Sequence, residues 1–205
     1  MPDKSPKRLP GRPKQADTQI SVQQTIILTA SKLFMEYGYE TVTLQQIGKR
    51  CNVSKPTIYY HFASKPELFK VAMITMFQNV RRVTSEFLDH AEHLEDGLIQ
   101  LAEARLANPH AEVETMIREA EPFLEKNQIQ EIREAEARIH EVLATHFQLA
   151  MDQQTLREDD PMFLAETFST LMLMGNRENT PQKYESNLAL GQRLVGIFLR
   201  GTKST

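Results

Sequence analysis

The chain contains little cysteine, no tryptophan and no long apolar run. Its single thiol, Cys51, among 205 residues excludes an internal disulfide framework. No uninterrupted apolar stretch reaches the roughly 18 residues that a membrane-spanning helix requires. The N-terminus is basic but lacks the apolar core of a signal peptide. We therefore expect a soluble, cytoplasmic protein without a membrane partner.

Signatures of catalysis are also missing. The sequence has no phosphate-binding glycine loop, nucleophile elbow or dinucleotide fingerprint. His90 and His93 are spaced to share a helical face, and His140-Glu141 with His146 resembles the zinc motif H-E-x-x-H. The second histidine of that motif falls two positions too late, so the two rings are not stacked as zinc requires. We expect no metal, no cofactor and no catalytic residue, and the chain is not predicted to be an enzyme.

Charge is distributed unevenly along the chain. Residues 1–70 hold 11 Lys and Arg against 5 Asp and Glu, a net charge of +6. The remainder holds 13 against 22, a net charge of −9. Acidic bodies are common in soluble proteins, so only the basic N-terminal part is informative. An excess of positive charge there favours contact with the phosphates of nucleic acid.

The stretch from residue 41 to residue 65 contains three closely spaced helix starts. Three polar residues are placed to cap these helices: Thr43, Ser54 and Ser64. Gln46 and Glu67, three residues after the first and last of them, have capping-box spacing. Asn52 lies between the first two helices and tolerates the left-handed conformation that a tight turn needs. These features predict a helix-turn-helix.

The second of these helices, residues 55–62, has an unusual composition. Only Ile58 and Phe62, four residues apart, form an obvious buried stripe. Pro56 falls in the first turn, where its missing N–H costs little. The remaining side chains have polar tips: Lys55, Thr57, Tyr59, Tyr60 and His61. Such a helix is suited to a DNA groove, although a solvated surface helix would have a similar composition.

The segment TVTLQQIGKRCNVSKPTIYYHFASKPELF resembles the DNA-binding signature of TetR-type transcriptional regulators. The matching residues are Thr43, Ile47, Cys51, Val53, Ser54, Thr57, Ile58, Tyr59, His61, Phe62, Ser64, Lys65 and Leu68. Two departures are mild: Asn52 stands where Gly is usual, and Pro56 where a small residue is common. The resemblance covers roughly the first third of the chain and does not identify a ligand.

The resemblance assigns roles to individual residues. It implies that four of them face base edges and the nearby backbone: Lys55, Pro56, Thr57 and Tyr60. Lys can reach guanine acceptors, while proline and a threonine methyl can pack on a thymine methyl. It implies that four others hold phosphates, which fixes register rather than sequence: Thr43, Tyr59, His61 and Lys65.

The first 16 residues are rich in Pro, Lys and Arg and are expected to form a disordered basic arm. Within this arm, Arg12 lies in a Gly-Arg-Pro core that resembles an AT-hook. Arginine in a narrow minor groove reads groove width and A·T content. A solubilising tail that makes no base contact is the alternative, and both interpretations stay open.

The rest of the chain shows helical periodicity and no alternating β pattern. The predicted helices span about 18–37, 65–90, 94–107, 109–119, 122–153, 161–175 and 183–200, in addition to the two short helices described above. The predicted fold is therefore all-α. A head with a three-helix helix-turn-helix (17–64) follows the arm (1–16), and a helical ligand-binding and dimerisation body (65–205) follows the head. The helix at 65–90 is apolar nearly all round in its first half, which predicts contact with both parts.

The last two helices carry more apolar surface than one core requires. A second apolar stripe predicts a two-fold homodimer through these helices, with Gly191 and Gly196 permitting close approach. A deeply buried terminal hairpin is the alternative. If the body holds a pocket, we expect it between the fourth, fifth, seventh and eighth helices. Arg105 and His140 are candidate polar groups there, although the sequence does not identify pocket residues.

Together these features predict a sequence-specific DNA-binding transcriptional regulator. We expect a repressor that a small-molecule effector releases from a palindromic operator on double-stranded DNA. An architectural or cell-division factor on the same scaffold, without an inducer, is the alternative. An enzyme with a vestigial head is disfavoured because the contact residues Tyr59 and Lys65 are kept.

Overall fold

The computed structural model describes residues 21–107, 113–176 and 184–203. Within these ranges the fold is all-α, as predicted, and the only β pairing is an isolated bridge between Leu156 and Lys203. The helices are α1 (Val22–Tyr37), α2 (Leu44–Cys51), α3 (Lys55–His61), α4 (Lys65–His90), α5 (Leu94–Ala107), α6 (Val113–Ala120), α7 (Lys126–Asp152), α8 (Pro161–Met172) and α9 (Asn187–Thr202). In the described part of the chain, none of them is long and apolar enough to span a bilayer.

The predicted helix-turn-helix is present and is defined by its caps. Thr43 and Gln46 form the full capping box at the start of α2, and the Ser54 hydroxyl accepts the N–H of Thr57 at the start of α3. Asn52 ends α2 in the left-handed conformation, with φ 56° and ψ 40°. An added Cβ at Gly48 would lie 2.8 Å from the Val53 carbonyl oxygen, so glycine permits the close approach of α2 to the turn.

The second predicted capping box, Ser64 with Glu67, is only half formed. The Ser64 hydroxyl accepts the N–H of Glu67 at a distance of 3.2 Å. The Glu67 side chain is used elsewhere, because Lys70 Nζ lies 3.2 Å from one carboxylate oxygen and the Gln128 amide donates to the other. The start of α4 is thereby joined to α7 in the body.

Several helix ends differ from the sequence prediction. Helix α1 begins at Val22 after the Ser21 cap, whereas the predicted start at Thr18 lies outside the described residues. Helix α7 begins at Lys126 rather than at 122, because Glu121–Phe123 form a 3₁₀ turn first. Helix α8 ends at Met172 and continues as a 3₁₀ turn, Leu173–Asn176. The predicted break at 108–109 lies outside the described ranges, and so do residues 177–181 of the predicted break at 175–181. The last helix begins at Asn187, later than the predicted start at 183.

The buried apolar residues form two clusters. The head-side cluster contains α1, α2, α3, the first half of α4, α6 and the first half of α7. The distal cluster contains the end of α4, α5, the second half of α7, α8 and α9. Each cluster has three mutually contacting rings: Phe34, Tyr39 and Phe69 in the first, and Phe147, Phe168 and Phe198 in the second.

Helix α4 connects the two clusters. Its first half is buried on several sides, and Leu68, Phe69, Ala72 and Met73 are all fully buried. It packs against α1 in the head and against α5 and α7 in the body. All-round apolarity in the sequence therefore predicted the position of this helix between head and body.

Candidate functional site

Helix α3 presents most of its surface to solvent. Ile58 is fully buried and Phe62, which follows the helix, is 4% exposed, so these two residues attach α3 to the head-side cluster. On the other faces Tyr60 is 85% exposed and Tyr59 is 49% exposed. Lys55, at the first position of the helix, is also exposed. Two buried residues thus attach the helix to the head, and its aromatic and basic side chains extend into solvent.

Some predicted contact residues are held by neighbouring side chains in this conformation. The Thr43 hydroxyl donates to Gln46 Oε1 at 3.0 Å, as part of the cap of α2. The Thr57 hydroxyl lies 2.8 Å from the Ser54 hydroxyl. Both threonine hydroxyls therefore take part in hydrogen bonds at the helix starts. To contact DNA, each threonine would use its methyl group or exchange its present hydroxyl hydrogen bond for one to DNA.

The other side chains on α3 interact with one another. Lys55 Nζ lies 5.7 Å from the centroid of the Tyr59 ring. The rings of Tyr60 and His61 meet edge to face, with their centroids 5.1 Å apart. Pro56 is exposed in the first turn, as the sequence predicts for its place in the helix. The surface of α3 therefore combines a cation, an apolar proline ring and three aromatic groups.

Lys65 does not extend freely from the surface. Its ammonium lies 4.2 Å from the centroid of the Tyr39 ring, and it donates to the Glu40 carbonyl oxygen at 3.4 Å. Partial burial lowers the pKa of Lys65, because the ammonium loses hydration. Burial also raises the pKa of Tyr39. A phosphate at this position must compete with two existing contacts, which the sequence did not indicate.

Sequence reasoning did not nominate the residues that join the head to α6. The N–H of Tyr39 donates to Glu119 Oε2 at 3.2 Å, across 80 positions of sequence. Gly38, with φ +79°, passes so close to the same carboxylate that an added Cβ would lie 2.9 Å from it. Such a distant pairing leaves no local signal in the sequence. Lys49 and Arg50, exposed in the last turn of α2, were also not nominated.

Arg12 and the whole basic arm lie outside the described residues. Five of the 11 cations that make residues 1–70 basic belong to residues 1–20. The described head therefore carries only part of the charge on which the electrostatic prediction rests.

A narrow cavity lies between α4, α5, α7 and α8. It has a volume of about 10 Å³, which is near the minimum for one water molecule. It is lined by Thr84, Leu101, Arg105, Ile139, Leu143, Phe168, Ser169 and Met172. Arg105 is among the lining residues and His140 is not. Burial lowers the pKa of Arg105, and the charge of Glu136 opposes this shift.

Two histidines of the body make hydrogen-bond contacts, one within a helix and one between two helices. His90 Nδ1 lies 2.8 Å from the Glu86 carbonyl oxygen, and His146 Nε2 lies 3.1 Å from Asp89 Oδ1. Across the described ranges, no group of three or more His, Cys, Asp or Glu side chains is placed to hold a metal ion.

Comparison with known proteins identifies the head. The family model of bacterial regulatory proteins, tetR family, matches residues 26–72. The chain carries a TetR-family DNA-binding domain. The TetR-family domain matches the HTH-type transcriptional regulator YhgD of Bacillus subtilis at 31% identity over 70 residues, which is 34% of this chain and 37% of that protein. The resemblance inferred from the sequence is thus confirmed.

A second relative is the negative transcriptional regulator of the biofilm operon icaADBC, IcaR, of Staphylococcus aureus. It is 30% identical over 79 residues, which is 38% of this chain and 42% of IcaR. The chain thus spans about two fifths of the length of these curated relatives. Both are named as transcriptional regulators rather than as enzymes.

The fold resemblance extends beyond the TetR-family domain. The structure of the transcriptional regulator FadR from Bacillus subtilis, in complex with stearoyl-CoA, superposes with a TM-score of 0.70. The superposition covers 86% of this chain and 97% of FadR, at 14% sequence identity. The described part of this chain therefore shares its helical fold with that protein well beyond the TetR-family domain.

Proposed function

We propose that this protein is a homodimeric, sequence-specific DNA-binding repressor that a small-molecule effector releases from a palindromic operator. The exposed face of α3 carries the proposal, because a short helix fixed by two buried residues presents Lys55, Tyr59 and Tyr60 to solvent. Residues 17–64 act as the DNA-binding head, residues 65–205 as the effector and dimer body, and residues 1–16 as an arm whose Arg12 enters the minor groove.

The base-facing set on α3 is Lys55, Pro56, Thr57 and Tyr60. The phosphate-contacting set is Thr43, Tyr59, His61 and Lys65. The first helix of a helix-turn-helix crosses the backbone while the second lies in the major groove, so Lys49 and Arg50 of α2 join the phosphate set. Contacts of the first set select sequence, and those of the second set fix the register of the protein on DNA.

Dimerisation places two copies of α3 on one face of DNA. The two recognition helices of a dimer enter successive major grooves about 34 Å apart. Exposed apolar side chains near the end of the chain supply surface for this dimer: Phe163, Leu173, Leu188 and Ile197. Gly191 does not belong to that surface, because an added Cβ there would lie 3.3 Å from Ala102 Cβ within the same chain.

The position of the cavity beside α4 supports the proposed release by an effector. A compound that widens the cavity shifts α4 and changes the separation of the two heads, so that both no longer fit one operator. The compound can do this only to the extent that it binds the widened state better. The stearoyl-CoA complex of FadR, a protein of similar fold, is consistent with a ligand-bearing body.

Selection of bound fragments from the host genome, followed by footprinting at a stated salt concentration, tests the proposed function. One or a few short palindromes near promoters are the expected result. Many scattered sites would indicate the architectural alternative instead. Absence of any specific site would overturn the proposal.

Two variants separate the proposed roles on α3. Lys55→Ala should relax the preference at one operator position, with a loss of about 1–3 kcal/mol on the preferred base pair only. Tyr59→Phe should weaken binding to operator and random DNA alike, because only a phosphate contact is removed. Fluorescence anisotropy on operator variants and random duplexes distinguishes the two. The reverse pattern would show that the assignments are wrong.

A further inference from the structure

Arg105 is a charged residue in apolar surroundings. It lines the cavity together with Leu101, Ile139, Leu143 and two other large apolar side chains. Burial lowers its pKa because the charged form loses hydration, yet a guanidinium remains protonated in proteins. The body therefore keeps a positive charge where most of the wall is hydrocarbon. Arg105 is only partly buried, and no described side-chain nitrogen or oxygen is buried without a hydrogen-bond partner, so water reaches the guanidinium in this conformation.

No side chain in the described ranges forms a hydrogen bond or an ion pair with Arg105. Glu136 favours its charged form electrostatically. The Glu136 carboxylate, however, is already bonded to Arg133, with 2.9 Å between Arg133 Nη1 and Glu136 Oε2. Arg133 also lies 2.7 Å from Glu114 Oε2. Arg133 thus forms ion pairs with two carboxylates, those of Glu114 and Glu136. Arg105 forms neither and feels only the charge of Glu136.

We propose that Arg105 is the anion-binding residue for the effector, which is an apolar compound with one carboxylate or one phosphate. This inference rests on the proposed function and names the chemical class of its ligand. The guanidinium fork supplies parallel N–H donors to either anion. Ser169, which also lines the cavity, can add a hydroxyl donor, whereas the Thr84 hydroxyl already donates to the Val80 carbonyl oxygen at 2.8 Å. The apolar wall receives the rest of the ligand.

The cavity must widen to admit such a compound, since about 10 Å³ holds no more than one water. Ile139 belongs to the head-side cluster, whereas Leu101, Leu143 and Phe168 belong to the distal cluster. The ligand therefore enters at the boundary between the two clusters and separates them. Met172 lies in this wall, and a flexible thioether side chain accommodates such a change.

Three eight-carbon probes test the chemical class: octanoate, octyl phosphate and 1-octanol. Thermal unfolding of the full chain without DNA reports binding. At roughly a hundredfold excess over its Kd, an anionic probe should raise the Tm by about 5 °C or more. Octanol should give a much smaller shift. A larger response to octanoate or to octyl phosphate would identify the source of the anion. An equal response to octanol, or no response to either anion, would overturn the proposal.

Substitutions of Arg105 test the residue. Arg105→Met should abolish the anion-induced shift, and Arg105→Lys should keep part of it. Without ligand, Arg105→Met should leave the Tm unchanged or raise it by no more than about 2 °C, because the partly solvated guanidinium has no side-chain partner to lose. Arg138→Met is the matched control at an exposed arginine of α7 and should respond as the unaltered chain does. A lower Tm for Arg105→Met would assign Arg105 a structural role and overturn the proposal, as would a retained anion response.

Operator binding is measured separately, so the two proposals fail in different ways. If octanoate or octyl phosphate binds through Arg105 but leaves the operator complex intact, the anion site stands and effector-driven release is wrong. If the chain binds no operator and the shift still depends on Arg105, the anion site stands without the repressor function. Release of the operator complex by an anion, lost in Arg105→Met, supports both.

Discussion

The two hydrophobic clusters differ in how their aromatic rings are attached. In the distal cluster, Phe147, Phe168 and Phe198 come from three different helices and their centroids lie 5.4–6.4 Å apart. In the head-side cluster the Tyr39 ring lies beneath the Lys65 ammonium, and the Tyr39 N–H is bonded to Glu119. The three distal rings are held by packing on one another, whereas an aromatic residue of the head-side cluster also makes polar contacts at its edge.

This difference indicates where the molecule can change shape. Close-packed hydrocarbon resists gradual deformation, whereas partly exposed polar contacts can be exchanged for contacts with water. The head-side cluster also includes Met116, Ile117 and Ile132 of the body, so it crosses from head to body. Movement of the head relative to α6 therefore requires loss of the polar contacts at Tyr39 while the distal cluster stays intact.

Truncation of one ring in each cluster should have the largest effect. Phe69→Ala and Phe168→Ala should each lower the free energy of unfolding by about 3–5 kcal/mol, because both rings are fully buried. Only Phe69→Ala should also weaken operator binding beyond its loss of stability, since Phe69 packs on the head rings. Denaturant unfolding and anisotropy, at a temperature where circular dichroism shows both variants folded, measure this. Equal loss of operator binding would contradict the separation of the two clusters.

A smaller effect should distinguish two glycines. Gly48→Ala should cost about 1–3 kcal/mol of stability, because the new methyl group meets the Val53 carbonyl oxygen at 2.8 Å and the turn must shift. Operator affinity should fall as well, since the turn orients α3. Gly201→Ala is the control, as nothing lies within 4 Å of an added Cβ there. It should be neutral or up to about 1 kcal/mol stabilising. A neutral Gly48→Ala would show that α2 has room to move.

The smallest effect concerns the polar edge of the head-side cluster. Glu119→Ala removes the acceptor of the Tyr39 N–H and should lower the free energy of unfolding by about 1 kcal/mol. Glu121→Ala, an equal truncation at an exposed position nearby, should change it by less than about 0.5 kcal/mol. Hydrogen exchange at the Tyr39 amide measures the loss of this hydrogen bond directly. If Glu119→Ala leaves the protection of that amide unaltered, the hydrogen bond does not hold the head against α6.

Local chemistry made most of the head predictable from sequence. A helix start depends on side chains within about three positions, so Thr43 and Ser54 predicted where α2 and α3 begin. Asn52 predicted the turn between them. The start of α7 was predicted too early because Pro122 is typical of the first turn of a helix. Here Pro122 lies in a 3₁₀ turn, and α7 starts from the pairing of Glu125 with Gln128.

Side-chain environment was less predictable than helix position. Lys65 matches the family pattern, but its contact with the Tyr39 ring depends on how α4 meets the loop after α1. The Tyr39–Glu119 hydrogen bond joins residues that are 80 positions apart in sequence, and no short-range sequence pattern predicts it. The DNA contact of Arg12 remains a prediction from the AT-hook match. The other proposed DNA contacts remain predictions from the TetR-type resemblance: those of Thr43, Lys55, Pro56, Thr57, Tyr59, Tyr60, His61 and Lys65.

For the effector proposed above, the small volume of the cavity sets the concentration that a response would require. A compound that enters only widened molecules binds with an apparent Kd equal to its intrinsic Kd divided by the widened fraction. Each increment of about 1.4 kcal/mol in the free energy of widening therefore raises the required concentration tenfold. A substitution that changes the side-chain size at Met172 would then alter the ligand concentration required, without any change to the DNA-facing surface. The same scaffold can thus be tuned to scarce or abundant compounds by packing alone.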